Sequence, residues 1–274
     1  MATYLDDLLV GSRRRVDEAR AREPLEALRE RAREAPRGPS FHAALSGPGV
    51  SVIAEVKRAS PSKGPLAPDL NAPAQAAAYV SGGAAAISVL TEPDQFLGSL
   101  LDLADVAALG VPALRKDFVI DPYQVWEAKA AGASAVLLIV AALDEPMLAL
   151  LHAEAQAAGL DVLVEIHDAS EAAAAKRIDA GIVGVNARDL RTFELDRDGF
   201  ARLRSQLDDH VIAVSESGVR DADDVRRAAT DGADAVLVGE TLVLAADPQA
   251  AVSELVAAGV GPPAPGTTAG SETR

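Results

Sequence analysis

Gly83-Ala84-Ala85-Ala86-Ile87, Gly132-Ala133-Ser134-Ala135-Val136 and Gly232-Ala233-Asp234-Ala235-Val236 share one form, Gly-Ala-x-Ala-apolar. A looser copy stands at Ala180-Gly181-Ile182-Val183, so the glycines fall at 83, 132, 181 and 232, with spacings of 49, 49 and 51. Each such glycine can end a helix in the left-handed conformation just before a strand. Each step has room for two strand–helix units, and four steps make a ring of eight. An open doubly wound sheet would share the helix–Gly–strand junction but gives no reason for the fourfold spacing.

Outward from these junctions, short β-rich apolar runs alternate with longer Ala-rich helical segments. Strands are expected over 51–57, 85–90, 111–115, 134–140, 160–165, 181–185, 210–215 and 234–239. Helices are expected near 72–81, 99–109, 121–131, 144–158, 169–178, 198–206, 221–230 and 248–257. Eight βα units point to an α/β chain folded as a closed (β/α)8 TIM barrel over residues 48–259. Ahead of it, residues 1–47 read as a helical extension. Arg13-Arg14-Arg15 is interleaved with acids at 17, 18, 23, 26, 30 and 34, the pattern of a solvated helix face. Pro36–Ser40 breaks that segment, and Ser40 can cap a short helix over 41–45. Residues 260–274, rich in Pro, Gly, Ser and Thr without apolar period, read as a disordered tail.

Composition narrows the function. A net charge of −15 argues against general nucleic-acid binding, because phosphates would be repelled by most of the surface. No apolar run approaches membrane-spanning length, and the N-terminal charges follow the short apolar segment, the wrong order for a signal peptide. The absence of cysteine excludes disulfides and thiolate metal sites and is compatible with a cytoplasmic enzyme. The four histidines (42, 152, 167, 210) lack ligand spacing, and His167 reads as a loop residue after Glu165. The chain has no dinucleotide fingerprint or P-loop, and no metal is expected.

The basic residues are five lysines (57, 63, 116, 129, 176) and twenty-one arginines. In such a chain a lysine at a strand end is informative, since lysine can exchange its proton where arginine cannot. Barrel sites lie at the C-terminal strand ends. Strand 1 ends with Glu55 and Lys57 on the face of Ile53, and Ser60-Pro61-Ser62-Lys63-Gly64 follows as a turn. Strand 3 ends at Lys116, strand 5 at Glu165, strand 6 at Asn186 with Arg188 beyond, strand 7 at Glu216-Ser217-Gly218, and strand 8 at Gly239-Glu240. One such residue alone is a loop charge or a turn. Converging on one mouth, these two lysines and three carboxylates would perturb one another's pKa values. Ser217-Gly218 and Gly239-Glu240 occupy the two loops with which barrels often hold phosphate, and Lys57 or Ser60 could add a donor. A phosphorylated small molecule is the expected ligand. A Schiff-base aldolase stays open at this point, because a barrel lysine can serve as nucleophile.

The residues also carry a resemblance. Ala54–Gly64, Ser88-Val89-Leu90-Thr91-Glu92 with Phe96-Leu97-Gly98-Ser99, Leu114–Phe118, Glu165, Val185–Leu190 and Ser215–Gly218 are similar to the indole-3-glycerol phosphate synthase family, in unbroken order from about Ser40 to Gly259. The resemblance implies decarboxylative ring closure and dehydration of 1-(2-carboxyphenylamino)-1-deoxyribulose 5-phosphate, a carboxy-lyase step of tryptophan biosynthesis without cofactor or metal. It implies Lys116 as general acid for ring closure, Glu165 and Glu55 as catalytic carboxylates, and Lys57 as phosphate ligand or acid for dehydration. Asn186 and Ser217 would position the substrate, and Arg188 would meet the aromatic carboxylate. Ser60, Pro61, Phe96, Glu216, Gly218, Leu237, Gly239 and Glu240 complete the implied substrate-binding set. Many members carry Ser where this chain has Glu240, so a phosphate there would take the backbone N–H. The chain is expected to act as a monomer or weak homodimer. An isomerase acting on a phosphoribosyl or ribulose phosphate would need only one acid–base pair, and a non-catalytic phosphometabolite-binding barrel would need none.

Overall fold

The computed structural model describes residues 4–189 and 194–260. Its strands are β1 (Ser51–Val56), β2 (Ala86–Leu90), β3 (Ala113–Lys116), β4 (Ala135–Ile139), β5 (Asp161–Ile166), β6 (Ile182–Asn186), β7 (Ile212–Glu216) and β8 (Ala235–Val238). They close into one parallel barrel in which β1 pairs with β2 on one side and β8 on the other. The bounds differ from the sequence expectation by one or two residues at most strand ends. A two-residue antiparallel ladder, Ala59–Ser60 against Gly64–Pro65, turns the segment after β1 into a small hairpin that was not expected.

Side-chain alternation divides the strands into two layers. Ile53, Leu114, Leu137, Leu163, Ile182, Val214 and Leu237 fill the barrel interior. Val52, Ala54, Val56, Val89, Val136, Leu138 and Val164 face outward and meet the helices. Seven of those helices begin on side-chain caps: Asn71, Ser99, Asp121, Asp144, Asp168, Asp221 and Asp247 each accept a first-turn N–H. Each cap contributes about 1 kcal/mol. Gly83, Gly132 and Gly232 have φ of 96°, 84° and 88°, as the repeat requires. At the fourth junction the left-handed residue is Asp179 (φ 53°) rather than Gly181. Aspartate tolerates that region better than most non-glycine residues, so the motif slid two positions without losing its turn.

The extension comprises α1 (Tyr4–Arg22), α2 (Leu25–Glu34) and α3 (Phe41–Leu45), and it touches both ends of the barrel. At the N-terminal end, Phe41 and Leu45 are fully buried against the interior side chains. Such burial contributes about 1.5–3 kcal/mol per side chain. The Ser40 hydroxyl and the His42 backbone N–H both donate to Asp161, the first residue of β5. At the other end, Leu5 and Leu8 pack with Phe118 beside the mouth. The expectation of a solvated basic face fails at Arg15. Its guanidinium lies 3.1 Å from Glu92 and 3.2 Å from Asp117, whose side chains are both 1% exposed. Long-range charge pairing, invisible in local periodicity, turned this arginine inward. The expected tail lies outside the described residues except for Val260. Among the described residues, no helix is long and apolar enough to cross a membrane.

Candidate active site

Alternation carries the same inward register past the aliphatic layers to the C-terminal strand ends. There it delivers Glu55, Lys116, Glu165, Asn186 and Glu216 to a cavity of about 360 Å3. Lys57, Ser60, Pro61, Phe96, Arg188, Ser217, Gly218, Leu237, Gly239 and Glu240 also line it, so every sequence-derived candidate meets at one mouth.

Lys116 is the centre of the charge pattern. Its Nζ stands 3.1 Å from Glu165 Oε2 and 3.5 Å from Glu216 Oε2. Burial opposes its charge, but the carboxylates of Glu165, Glu216 and Glu55 outweigh burial and hold its pKa above the ordinary lysine value. Burial likewise opposes ionisation of Glu165, yet the Lys116 ammonium, His167 and Asn186 together keep it below the usual carboxylate range. Glu216 differs. Burial, with repulsion from Glu165 and Glu55, pushes it up to about 8 against the pull of Lys116. The ammonium therefore faces one ionised and one neutral carboxyl at neutral pH.

The second pair lies on β1, where Lys57 Nζ is 2.7 Å from Glu55 Oε1. Ser88 donates to the other Glu55 oxygen at 3.3 Å. Two glycines make room for these carboxylates. A Cβ on Gly184 would stand 2.0 Å from Glu216 Oε1, and one on Gly239 would stand 2.5 Å from Glu55 Oε1.

A hydrogen-bonded chain orients Glu165. The Arg188 backbone N–H can only donate, and it donates to Asn186 Oδ1 at 3.0 Å. That contact fixes the amide, so Nδ2 donates to Glu165 Oε1 at 3.1 Å. The Ser217 hydroxyl donates to the same Oδ1 at 2.8 Å. Ser217 is itself left-handed, with φ 66°, a conformation uncommon outside glycine. Gly218 follows at φ 83°, and together they bend the loop over the cavity.

On the opposite wall, the Ser60 hydroxyl oxygen is buried and finds no hydrogen-bond partner among the described residues. Lys63, in the hairpin turn, lies 3.5 Å from Glu240 and draws that carboxylate toward the rim. Sequence reasoning passed over Tyr4 and Leu8, which the extension adds to the lining, and underrated His167, whose ring is pinned between Glu165 and Glu171. The spacing Glu165-x-His167-x3-Glu171 across a strand end and a helix cap was the available signal.

Comparison with known proteins decides the family. The indole-3-glycerol phosphate synthase family model matches residues 5–255. The chain belongs to that family. It is 51% identical over 261 residues to an indole-3-glycerol phosphate synthase of Streptomyces griseus, covering 95% of this chain and 97% of the relative. It is also 51% identical over 266 residues to that of Mycolicibacterium smegmatis, covering 96% and 97%. Among solved structures, a 3-hexulose-6-phosphate synthase from Salmonella typhimurium superposes with a TM-score of 0.61 at 15% identity, covering 76% of this chain and 98% of the other. A thiamine phosphate pyrophosphorylase from Pyrococcus furiosus gives 0.59 at 16%, covering 80% and 97%. At such identities these two neighbours share the barrel and nothing finer.

Proposed function

We propose that the chain closes the indole ring of 1-(2-carboxyphenylamino)-1-deoxyribulose 5-phosphate, as its family membership indicates, with the two ammonium–carboxylate pairs as its acid–base machinery. The ring carbon bearing the carboxylate attacks the ribulose C2 carbonyl. Lys116 protonates the carbonyl oxygen as the new carbon–carbon bond forms. Carbon dioxide then leaves, and its bonding electrons restore the aromatic ring. In the second stage the C2 hydroxyl takes a proton from Lys57 and departs as water, pushed by the ring nitrogen. Loss of a proton from C1 to Glu165 completes indole-3-glycerol phosphate.

The observation that carries this reading is the presence of two pairs, Lys116 with Glu165 and Lys57 with Glu55, on different sectors of one mouth. Ring closure and dehydration each consume an acid, whereas an isomerase would leave one pair without work. Lys116 is charged and held by carboxylates, so it serves as a proton donor and not as a Schiff-base nucleophile.

The substrate's two anionic ends have separate places. Arg188 takes the aromatic carboxylate. The backbone around Gly218 and Gly239, with the Ser60 hydroxyl that has no hydrogen-bond partner among the described residues, takes the phosphate. At Glu240 the backbone N–H is the donor, with the carboxylate drawn off toward Lys63. We read the enzyme as cytoplasmic, in keeping with the lack of cysteine, and as a monomer or weak homodimer.

Purified protein mixed with the carboxyphenylamino substrate, without metal or cofactor, is expected to generate indole fluorescence. No indole signal at saturating substrate would end the lyase reading.

A further inference from the structure

His167 follows β5 directly and takes part in none of the steps above. Its ring stands between two carboxylates. Nδ1 lies 3.1 Å from Glu171 Oε2, and Nε2 lies 3.5 Å from Glu165 Oε1. Glu171 sits in the first turn of α4 (Ala169–Arg177), the helix capped by Asp168. The same Glu171 oxygen accepts the His167 backbone N–H at 2.7 Å, so main chain and ring are gripped together.

This grip sets the tautomer. An ionised carboxylate only accepts, so Nδ1 must carry the proton directed at Glu171. The charge of the ring then depends on Nε2 alone. That nitrogen is buried and makes no hydrogen bond among the described residues, yet it is aimed at Glu165. A lone pair there would face carboxylate lone pairs, whereas an N–H would meet them. The other Glu165 contacts are Asn186 on the same oxygen and Lys116 on the second.

We infer that His167, anchored by Glu171, is a positioning residue that keeps Glu165 ionised and turned toward Lys116. What Glu165 does in catalysis rests on the lyase reading; the coupling between the two side chains does not.

The plain alternative makes Glu171 a helix-end acceptor and His167 its packing partner. Packing alone would place no demand on the ring's charge. Among the described residues, the groups facing His167 are Glu165 from β5, Glu216 from β7, and Asp168 and Glu171 at the head of α4, all acidic, with the Lys116 ammonium from β3 beyond Glu165 on its other oxygen. Burial lowers the imidazole pKa, but the Glu171 hydrogen bond and the Glu165, Glu171 and Glu216 charges raise it above the ordinary histidine value. Coupling of two sites is reciprocal, so whatever Glu165 does to His167, His167 does to Glu165.

The test has two arms. Imidazole NMR of the full chain should show Nδ1 protonated at every pH and a His167 pKa above about 6.5. Glu165→Gln and Glu171→Gln should each lower it, the former by roughly one unit or more. In the second arm, His167→Gln should move the acid limb of the kcat–pH profile upward by about one unit, with KM changed less than about twofold. A His167 pKa indifferent to Glu165→Gln overturns the inference. So does a His167→Gln profile parallel to the parent's, whatever the loss of stability. If the parent forms no indole product, the lyase reading falls, while the NMR arm still decides whether His167 holds Glu165.

Discussion

Lys116 and Glu165 face each other across the mouth from β3 and β5, with Nζ and Oε2 3.1 Å apart. The two residues are 49 positions apart in sequence, and the barrel curvature brings their strand ends onto one cavity. A proton leaving Lys116 therefore breaks an ion pair, and the neutral amine that remains stands beside Glu165 and Glu216. Lys116→Ala is expected to lower kcat about a hundredfold or more in the indole fluorescence assay. A kcat close to the parent's would transfer the ring-closing role to Lys57.

Glu216 ties stability to pH. Its folded pKa of about 8 exceeds the ordinary value of 4.5, so folding takes up a proton between these limits. Its contribution is full below pH 4.5 and is lost as pH rises toward about 8, because the unfolded chain ionises first. Glu216→Gln removes this dependence. Urea midpoints measured from pH 5 to pH 9 should show the variant gaining on the parent as pH rises, with the gain levelling off above about 8.

The two cavity-making glycines should be sensitive to a single methyl group. Gly184→Ala must displace the Glu216 carboxylate, and Gly239→Ala must displace Glu55 or Lys57. A misplacement of about 1 Å at a catalytic group can cost roughly a hundredfold in rate. Both variants are expected to fold, with circular dichroism like the parent's, and to lose kcat by about ten- to a hundredfold.

Arg15 is predicted to matter for stability and Arg13 is not. Arg15→Ala leaves Glu92 and Asp117 buried without that cation and should cost about 3 kcal/mol. Arg13 is exposed on α1, and Arg13→Ala should change stability by less than about 0.5 kcal/mol. Denaturant titrations of both variants measure the difference.

Much of this was legible in the sequence because strand alternation is a local rule. Once Ile53 was placed inward, Glu55 followed, and the same rule put Lys116, Glu165, Asn186 and Glu216 into one mouth. The glycine repeat likewise marked the junctions, since a left-handed residue at a helix end is a local demand. What escaped was non-local. Arg15 meets partners 77 and 102 residues away, and no window of α1 announces them. Asp179 took the left-handed place of a glycine because backbone conformation can move along a turn. His167 looked like a lone loop histidine until the fold of β5 into α4 set Glu165 and Glu171 on its two sides.

The helix α3 has a consequence for how each molecule is made. Phe41 and Leu45 seat beneath a ring whose last strand, β8, pairs with its first, β1. At about 5–20 residues per second, translation reaches the end of β8 roughly ten to forty seconds after α3 is complete. Throughout that interval the ring that receives these two side chains does not yet exist. Ribosome-bound chains truncated before β8 should therefore be held by chaperones through this short apolar segment, and chains that include β8 should release them.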